Sequence, residues 1–286
     1  MKSKLFLLMS MVIFGTIGVF RKYIPLPSGT ISLVRGIIGT LFMLALLRGR
    51  GVSPSKTAIR KNIKILVVAG AFLGFNWILL FEAYRYTSVA TATLCYYMAP
   101  VFMILASPFV MKEKLTKLKL GCAAVALFGM VLVSGVLDVG AVQQSEIKGI
   151  LFALGAAILY ASVVMISKKL KGIEGTDVTL TQLAISAIVL LPYVLAVEKI
   201  GTVTFTPISI CMLLVIGVVH TGIAYALYYT SIGNLQAQTI ALYSYIDPVV
   251  SVVLSILILK EDMSLMKLAG AVMILGAAMM SEKNQQ

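Results

Sequence analysis

Residues 74–120 of the chain read GFNWILLFEAYRYTSVATATLCYYMAPVFMILASPFVMKEKLTKLKL, and the same pattern returns 148 residues later, at 222–268. When the two stretches are aligned without a gap, 12 of the 47 paired positions are identical. The matches include Tyr97 with Tyr245, each of which stands three residues before a proline. One half of the protein is therefore predicted to be a copy of the other half.

The composition indicates an integral membrane protein. Hydrophobic residues make up 60% of the chain, charged residues make up 12%, and the mean hydropathy is +1.01. A soluble domain contains only about 45–50% apolar residues. Because about 20 mostly apolar residues cross the hydrocarbon core as a helix, the sequence predicts ten spans. They lie approximately at 3–20, 28–47, 63–84, 88–111, 118–137, 149–167, 178–197, 208–229, 237–259 and 265–280.

Five of these spans belong to each copy. A unit with an odd number of spans starts and ends on opposite sides of the bilayer, so the second copy must insert upside down relative to the first. We therefore expect an all-α integral membrane protein with ten transmembrane helices in two inverted five-helix repeats, at residues 1–137 and 148–286. Inverted repeats of this kind are common in secondary transporters.

The positive charges predict the orientation of the chain in the membrane. With both termini in the cytoplasm, 16 of the 24 Lys and Arg residues fall in cytoplasmic segments and seven in outer ones, which leaves Arg35 inside a helix. This bias favours a multi-pass protein of the cell membrane with both termini cytoplasmic. The net charge of +13 is then mostly a topology signal, and no nucleic-acid partner is expected.

Each copy also carries a Tyr-x-x-Pro motif in its fourth helix and a Lys-Glu pair just after it. The residues are Tyr97 to Pro100 with Lys112 and Glu113, and Tyr245 to Pro248 with Lys260 and Glu261. Ten spans with these motifs resemble the EamA family of the drug/metabolite transporter superfamily over nearly the whole chain. The resemblance implies alternating access around a central cavity, in a family whose members export amino acids or move other small metabolites. The departures from the family pattern are modest. The aromatic residue midway through the first helix is Phe14, and this helix has no acidic residue.

Asp247 is the main candidate for a functional group inside the membrane. It lies about eight residues past Thr239, well within the predicted ninth span, and ionisable groups at that depth usually face a cavity or a partner. Tyr243, Asp247, Ser251 and Ser255 recur every four residues and form a polar stripe on one face. Asp247 is a candidate for proton coupling, and the alternative is that it caps backbone groups freed by Pro248.

His220 and Arg35 also lie inside predicted spans. His220, the only histidine, is the second candidate for proton coupling, since imidazole changes charge near physiological pH; the alternative is a hydrogen-bonded packing histidine. Arg35 could contact a substrate carboxylate, snorkel to the membrane surface or form an internal ion pair.

The candidate substrate-binding residues are polar or aromatic side chains within the predicted helices. They are Asn76, Trp77, Tyr96, Tyr97, Tyr160, His220, Tyr225, Tyr243 and Asp247. We expect most of them to face one central volume between the two copies, near the bilayer midplane. For Trp77 the alternative is a role in helix packing or in the interfacial aromatic belt.

These features predict a secondary transporter that exports a small metabolite, such as an amino acid, coupled to a gradient or to exchange. An uptake permease is the alternative. The longest polar gap, about fifteen residues, is too short for a nucleotide-binding domain. A single histidine and isolated carboxylates disfavour a membrane-embedded enzyme, so no catalytic residue, metal or cofactor is predicted. The expected partners are the lipid bilayer and a small-molecule substrate, and the sequence leaves a homodimer open.

Overall fold

A computed structural model describes residues 2–110, 116–134, 144–198, 205–232, 235 and 243–283, and the statements below concern these residues. The described chain is helical and contains no β-strand. The helices are α1 (Lys2–Lys22), α2 (Ser28–Gly49), α3 (Lys56–Tyr86), α4 (Val89–Tyr96), α5 (Ala99–Val110), α6 (Lys117–Val133), α7 (Gln144–Ser167), α8 (Gly175–Val197), α9 (Pro207–Val215), α10 (Ala224–Ile232), α11 (Ile246–Leu257) and α12 (Leu265–Lys283). A π-helical segment, Ile216–Ile223, joins α9 to α10.

The described helices account for ten membrane spans. Seven stretches are long and apolar enough to cross a bilayer, with α4–α5 and α9–α10 each counted as one stretch. The apolar helices α6, α11 and α12 supply the other three spans. The predicted all-α, ten-helix membrane fold is therefore confirmed.

The chain has two halves, α1–α6 and α7–α12, and the first helix of each half packs against helices of the other half. Helix α1 packs against α10 and α11 of the second half, and α7 packs in the same way against α3 and α4 of the first. Helices α2 and α8 contact each other, as do α6 and α12. This is the arrangement that two copies related by a twofold axis produce. The exact limits of the two copies remain a prediction.

The fourth span is interrupted where the sequence predicted a continuous helix. Helix α4 ends at Tyr96 and α5 begins at Ala99, next to Pro100. A proline lacks the backbone N–H and its ring clashes with the carbonyl four residues earlier, so a helix tends to break before it. Tyr97, the tyrosine of the repeated motif, lies at this break.

Helix α3 is longer than the apolar pattern predicted. It begins at Lys56 rather than near residue 63, and Ser55 caps its first turn by accepting a hydrogen bond from the backbone N–H of Ala58. The added turns are polar, which is why a hydropathy window omits them. At one of these turns the Asn62 side chain donates to the carbonyl oxygen of Lys171 at 2.9 Å, which ties α3 to the segment between α7 and α8.

Candidate functional site

Asp247 and Tyr97 form a hydrogen bond between the two halves of the molecule. The Tyr97 hydroxyl donates to a carboxylate oxygen of Asp247 at 2.8 Å. Asp247 lies in the first turn of α11, one residue before Pro248, and accepts from no backbone N–H among the described residues. The capping alternative is therefore not observed. Thr239, from which its depth in the membrane was predicted, lies outside the described residues.

A second polar contact joins the same two helices one turn further along α11. The hydroxyl groups of Ser251 and Thr93 are 2.9 Å apart, and the Tyr84 hydroxyl lies 3.3 Å from that of Thr93. Ser255 instead donates to a carbonyl of its own helix. The predicted polar stripe of α11 thus faces α4 at Asp247 and Ser251.

Tyr96 lies within a cluster of aromatic and amide groups between α3, α4 and α7. Its ring is 6.1 Å from that of Tyr97 and 5.6 Å from that of Tyr160. The Asn76 amide donates to the carbonyl oxygen of Ala156 at 2.6 Å and also interacts with the Tyr96 hydroxyl. Four predicted site residues therefore meet here, although Tyr160 is 38% exposed.

Arg35 of α2 is buried against aromatic rings and has one hydrogen bond to a described residue. Its guanidinium lies 4.3 Å from the centre of the Trp77 ring and 5.7 Å from that of Phe81. Its Nε donates to the Thr221 hydroxyl at 2.8 Å. The side chain is 5% exposed, so snorkelling is wrong, and no described carboxylate forms an ion pair with it. The contact between Trp77 and Arg35 fits the expectation that Trp77 faces other polar side chains of the site.

Two tyrosines, Tyr84 and Tyr96, interact electrostatically with both Arg35 and Asp247. The phenol groups of Tyr84, Tyr96 and Tyr225 lie within electrostatic range of the guanidinium. Tyr84 and Tyr96 also lie within electrostatic range of the Asp247 carboxyl. One buried cation and one carboxyl group therefore share the same aromatic surroundings.

His220 and Tyr225 link the eighth span to α1. The Nε2 atom of His220 lies 2.7 Å from the Thr16 hydroxyl oxygen, whose own proton is donated to the carbonyl of Ile13. The Nδ1 atom lies 3.4 Å from the carbonyl oxygen of Val215, so both ring nitrogens have a polar partner. The histidine is 1% exposed, as the packing alternative expects. The Tyr225 ring makes an edge contact with Phe14 at 5.3 Å.

The π-helical segment is a feature that the sequence did not predict. His220 and Thr221 both belong to it, and the Thr221 hydroxyl donates to the carbonyl of Ile216, five residues earlier, at 3.0 Å. π-Helical turns occur frequently at functional sites. Here the widened turn carries the hydroxyl that accepts the hydrogen bond from Arg35.

A cavity opens at the end of the molecule where α1 ends. Its volume is about 530 Å³, and its lining residues are Arg21, Lys22, Ile24, Pro25, Leu26, Pro27, Tyr84 and Arg85. Arg21 binds the carbonyl of Ile24 and the hydroxyl of Ser28, which fixes the turn between α1 and α2. Tyr84, which lines this cavity, also contacts Thr93 and so stands between the cavity and the polar contacts of α4.

The Lys-Glu motif of the second copy has a clear structural role. The Glu261 carboxylate accepts from the backbone N–H groups of Val89 and Ala90, at 2.9 and 3.3 Å, and lies 3.8 Å from Nζ of Lys22. It therefore caps α4, whose helix dipole favours an anion at that end. Lys112 and Glu113, the corresponding pair, lie outside the described residues.

Tyr243 forms no hydrogen bond or ring contact with any described residue, so nothing joins it to the other candidates. In the part of the chain that the structure describes, no group of three or more His, Cys, Asp or Glu residues could hold a metal ion.

The chain matches known proteins over most of its length. Residues 1–135 and 147–282 match the model of the EamA-like transporter family. An uncharacterized transporter, YxxF of Bacillus subtilis, is 30% identical over 94% of this chain and 85% of its own length. The pseudopaline exporter CntI of Pseudomonas aeruginosa is 26% identical over 46% of each chain. A solved crystal structure at 19% identity covers 99% of both chains with a TM-score of 0.69, which shows a shared fold.

Proposed function

We propose that this chain, which belongs to the EamA-like transporter family, exports a small metabolite such as an amino acid or a related compound. Transport follows alternating access, in which the two halves open a central binding region to one side of the membrane at a time. The energy comes from an ion gradient or from exchange for another solute. The protein acts in the cell membrane with both termini in the cytoplasm, and it performs no chemical reaction on its cargo.

The Tyr97–Asp247 hydrogen bond is the observation that supports this proposal most directly. It joins α11 to the break between α4 and α5, so it crosses from one half to the other beside an interrupted helix. Interrupted helices at the repeat interface form the substrate sites of many secondary transporters. A relative movement of the halves would make or break this bond.

The surrounding side chains form the proposed substrate site. It comprises Asn76, Trp77, Tyr96, Tyr97, Tyr160, His220, Tyr225, Tyr243 and Asp247. Tyrosine and tryptophan rings offer large apolar faces with polar tips, and such groups suit a flat or amphipathic cargo. Tyr243 is the weakest member because it contacts none of the others in the described chain.

Asp247 is proposed to couple transport to protons. A coupling group must change charge inside the membrane, and Asp247 is the one acidic side chain of the described central region. Among the described residues it receives one side-chain hydrogen bond, from Tyr97, which leaves room for a bound proton on the carboxyl group. His220 is the second candidate, and its contact is with Thr16 of α1.

Export leads over uptake because the partial relative from Pseudomonas aeruginosa is named an exporter. An uptake permease of the same fold remains the second candidate. A thermal-shift screen of the purified protein against amino acids and their analogues would identify ligands, since binding to the folded state raises its stability. Each ligand found would then be tested for counterflow in proteoliposomes. A ligand that binds but is never exchanged across the membrane would contradict the proposed function.

A further inference from the structure

Arg35 carries a buried charge that the described chain neutralises only in part. Trp77 and Phe81 offer the negative faces of their rings, and Thr221 accepts the hydrogen bond from Nε. Both Nη atoms lack an acceptor among the described residues. A buried cation is costly unless a charge or several hydrogen bonds compensate it.

The geometry leaves the two Nη atoms of Arg35 ready for a ligand. The contact with the Trp77 ring at 4.3 Å and the bond to Thr221 at 2.8 Å hold the guanidinium from two sides. The free edge of a guanidinium carries parallel N–H groups that match the two oxygens of a carboxylate. A side chain held in this way is prepared for a planar anion.

We infer that the transported molecule carries a carboxylate group and that Arg35 binds this group through Nη1 and Nη2. The inference rests on the proposed function and identifies a residue that contacts the cargo. Trp77 then positions Arg35 as well as bordering the cargo. The sequence offered this contact for Arg35 as one of three alternatives, because a lone arginine in a span equally suggests snorkelling or an internal ion pair.

The charges around Arg35 favour a monoanionic group over a phosphate or a dicarboxylate. Among the described residues, Arg35 is the one cation over the Trp77 and Phe81 rings, and Tyr84 and Tyr96 interact electrostatically both with it and with the Asp247 carboxyl. Phosphate groups usually receive several cationic or N–H donors. A second negative charge on the cargo would find no second described cation beside the Trp77 and Phe81 rings.

Trp77 makes this inference measurable because it is the only tryptophan of the chain. A carboxylate that binds Arg35 changes the field at the stacked indole, so tryptophan emission reports on this site alone. The purified protein would be titrated with acetate and with phenylpropionate, and each would be compared with its amide, acetamide or phenylpropanamide. Each amide keeps the shape of the acid and lacks its charge. Sodium chloride at equal ionic strength serves as the control for inorganic anions.

We expect a saturable change in Trp77 emission with at least one carboxylate, at least about tenfold tighter than with its amide. Arg35→Gln should abolish this response. Arg35→Lys, which keeps the charge but not the paired N–H groups, should weaken binding. Arg48→Gln is the matched control, since Arg48 lies in the same helix and is exposed.

An equal response to acid and amide, a response to chloride of the same size, or a response that survives Arg35→Gln would overturn the inference. So would the lack of a saturable response to either carboxylate. If Arg35→Gln does not fold, Thr221→Val replaces it, because this change removes the acceptor that orients the guanidinium and should weaken carboxylate binding several-fold. Emission is read without transport. Loss of counterflow with carboxylate binding intact would therefore count against the proposed function and not against this site.

Discussion

The close approach of α1 and α11 beside Asp247 can be tested by adding one methyl group at Gly15. A Cβ atom on this residue would lie 2.6 Å from the carbonyl oxygen of Asp247 and 2.7 Å from Cβ of Val250. Ordinary contacts begin at 3.4 Å, so Gly15→Ala requires the two helices to separate by about 0.8 Å. The obstacle is partly backbone, which cannot rotate away as a flexible side chain can.

The expected cost follows from two opposing effects. Overpacking of this kind costs about 1–3 kcal/mol, whereas replacing glycine by alanine inside a helix gains about 0.5–1 kcal/mol. Gly276→Ala is the matched control, because Gly276 of α12 has no neighbouring atom within 4 Å of an added Cβ. Both variants gain the same free energy from replacing a helical glycine by alanine. Their unfolding free energies should therefore differ by about 1–3 kcal/mol, with Gly15→Ala the less stable.

The assay is equilibrium unfolding of both purified variants in mild detergent, titrated with a denaturing detergent. Transport provides a second readout, because the backbone that must shift to admit the methyl group belongs to Asp247, the acceptor of the Tyr97 hydrogen bond. Gly15→Ala should then lose transport and Gly276→Ala should retain it. Equal stabilities for the two variants would refute the described packing of α1 over Asp247.

Three further predictions concern the cap of α4, the central hydrogen bond and the topology. Glu261→Ala removes the carboxylate that binds the first N–H groups of α4 and should lower the unfolding free energy by about 0.5–2 kcal/mol. The same change at the exposed neighbour Asp262 should be tolerated, and equal losses of unfolding free energy in the two variants would contradict the capping role. Tyr97→Phe removes the one side-chain hydrogen bond that Asp247 receives from the described residues and should reduce gradient-driven transport at least several-fold, while Tyr23→Phe, at an exposed tyrosine, should leave it unchanged. Tags at both termini should be accessible to impermeant reagents only from the cytoplasm, and an external C-terminus would contradict the ten-span, inverted topology.

The spans and the pairing of motifs could be predicted from the sequence because both depend on local patterns. Apolar length identifies a span wherever it lies in the fold, and the shared motif relates Tyr97 to Tyr245 by simple alignment. The hydrogen bond from Tyr97 to Asp247 could not be predicted in the same way. It depends on how α4 packs against α11, and neither residue carries a local signal for its partner.

Arg35 illustrates the limit of sequence reasoning at the site. Its intramembrane position was evident, but snorkelling, ion pairing and ligand binding predict the same residue type at the same depth. These alternatives are separated only by the packing of α2 against α3 and the eighth span. This packing brings Trp77 and Thr221 to the guanidinium. The π-helical turn at Thr221 likewise has no local sequence signal that we can identify.

The most direct test of proton coupling at the interface between the halves is Asp247→Asn in proteoliposomes. Asparagine keeps the size of the side chain and can still accept the Tyr97 hydrogen bond, but it cannot titrate. Transport driven by an imposed proton gradient should be abolished, while counterflow exchange of the same solute should persist in part because it needs no net proton movement. Gradient-driven transport that survives the substitution undiminished would show that Asp247 is structural and would contradict its assignment as the coupling group.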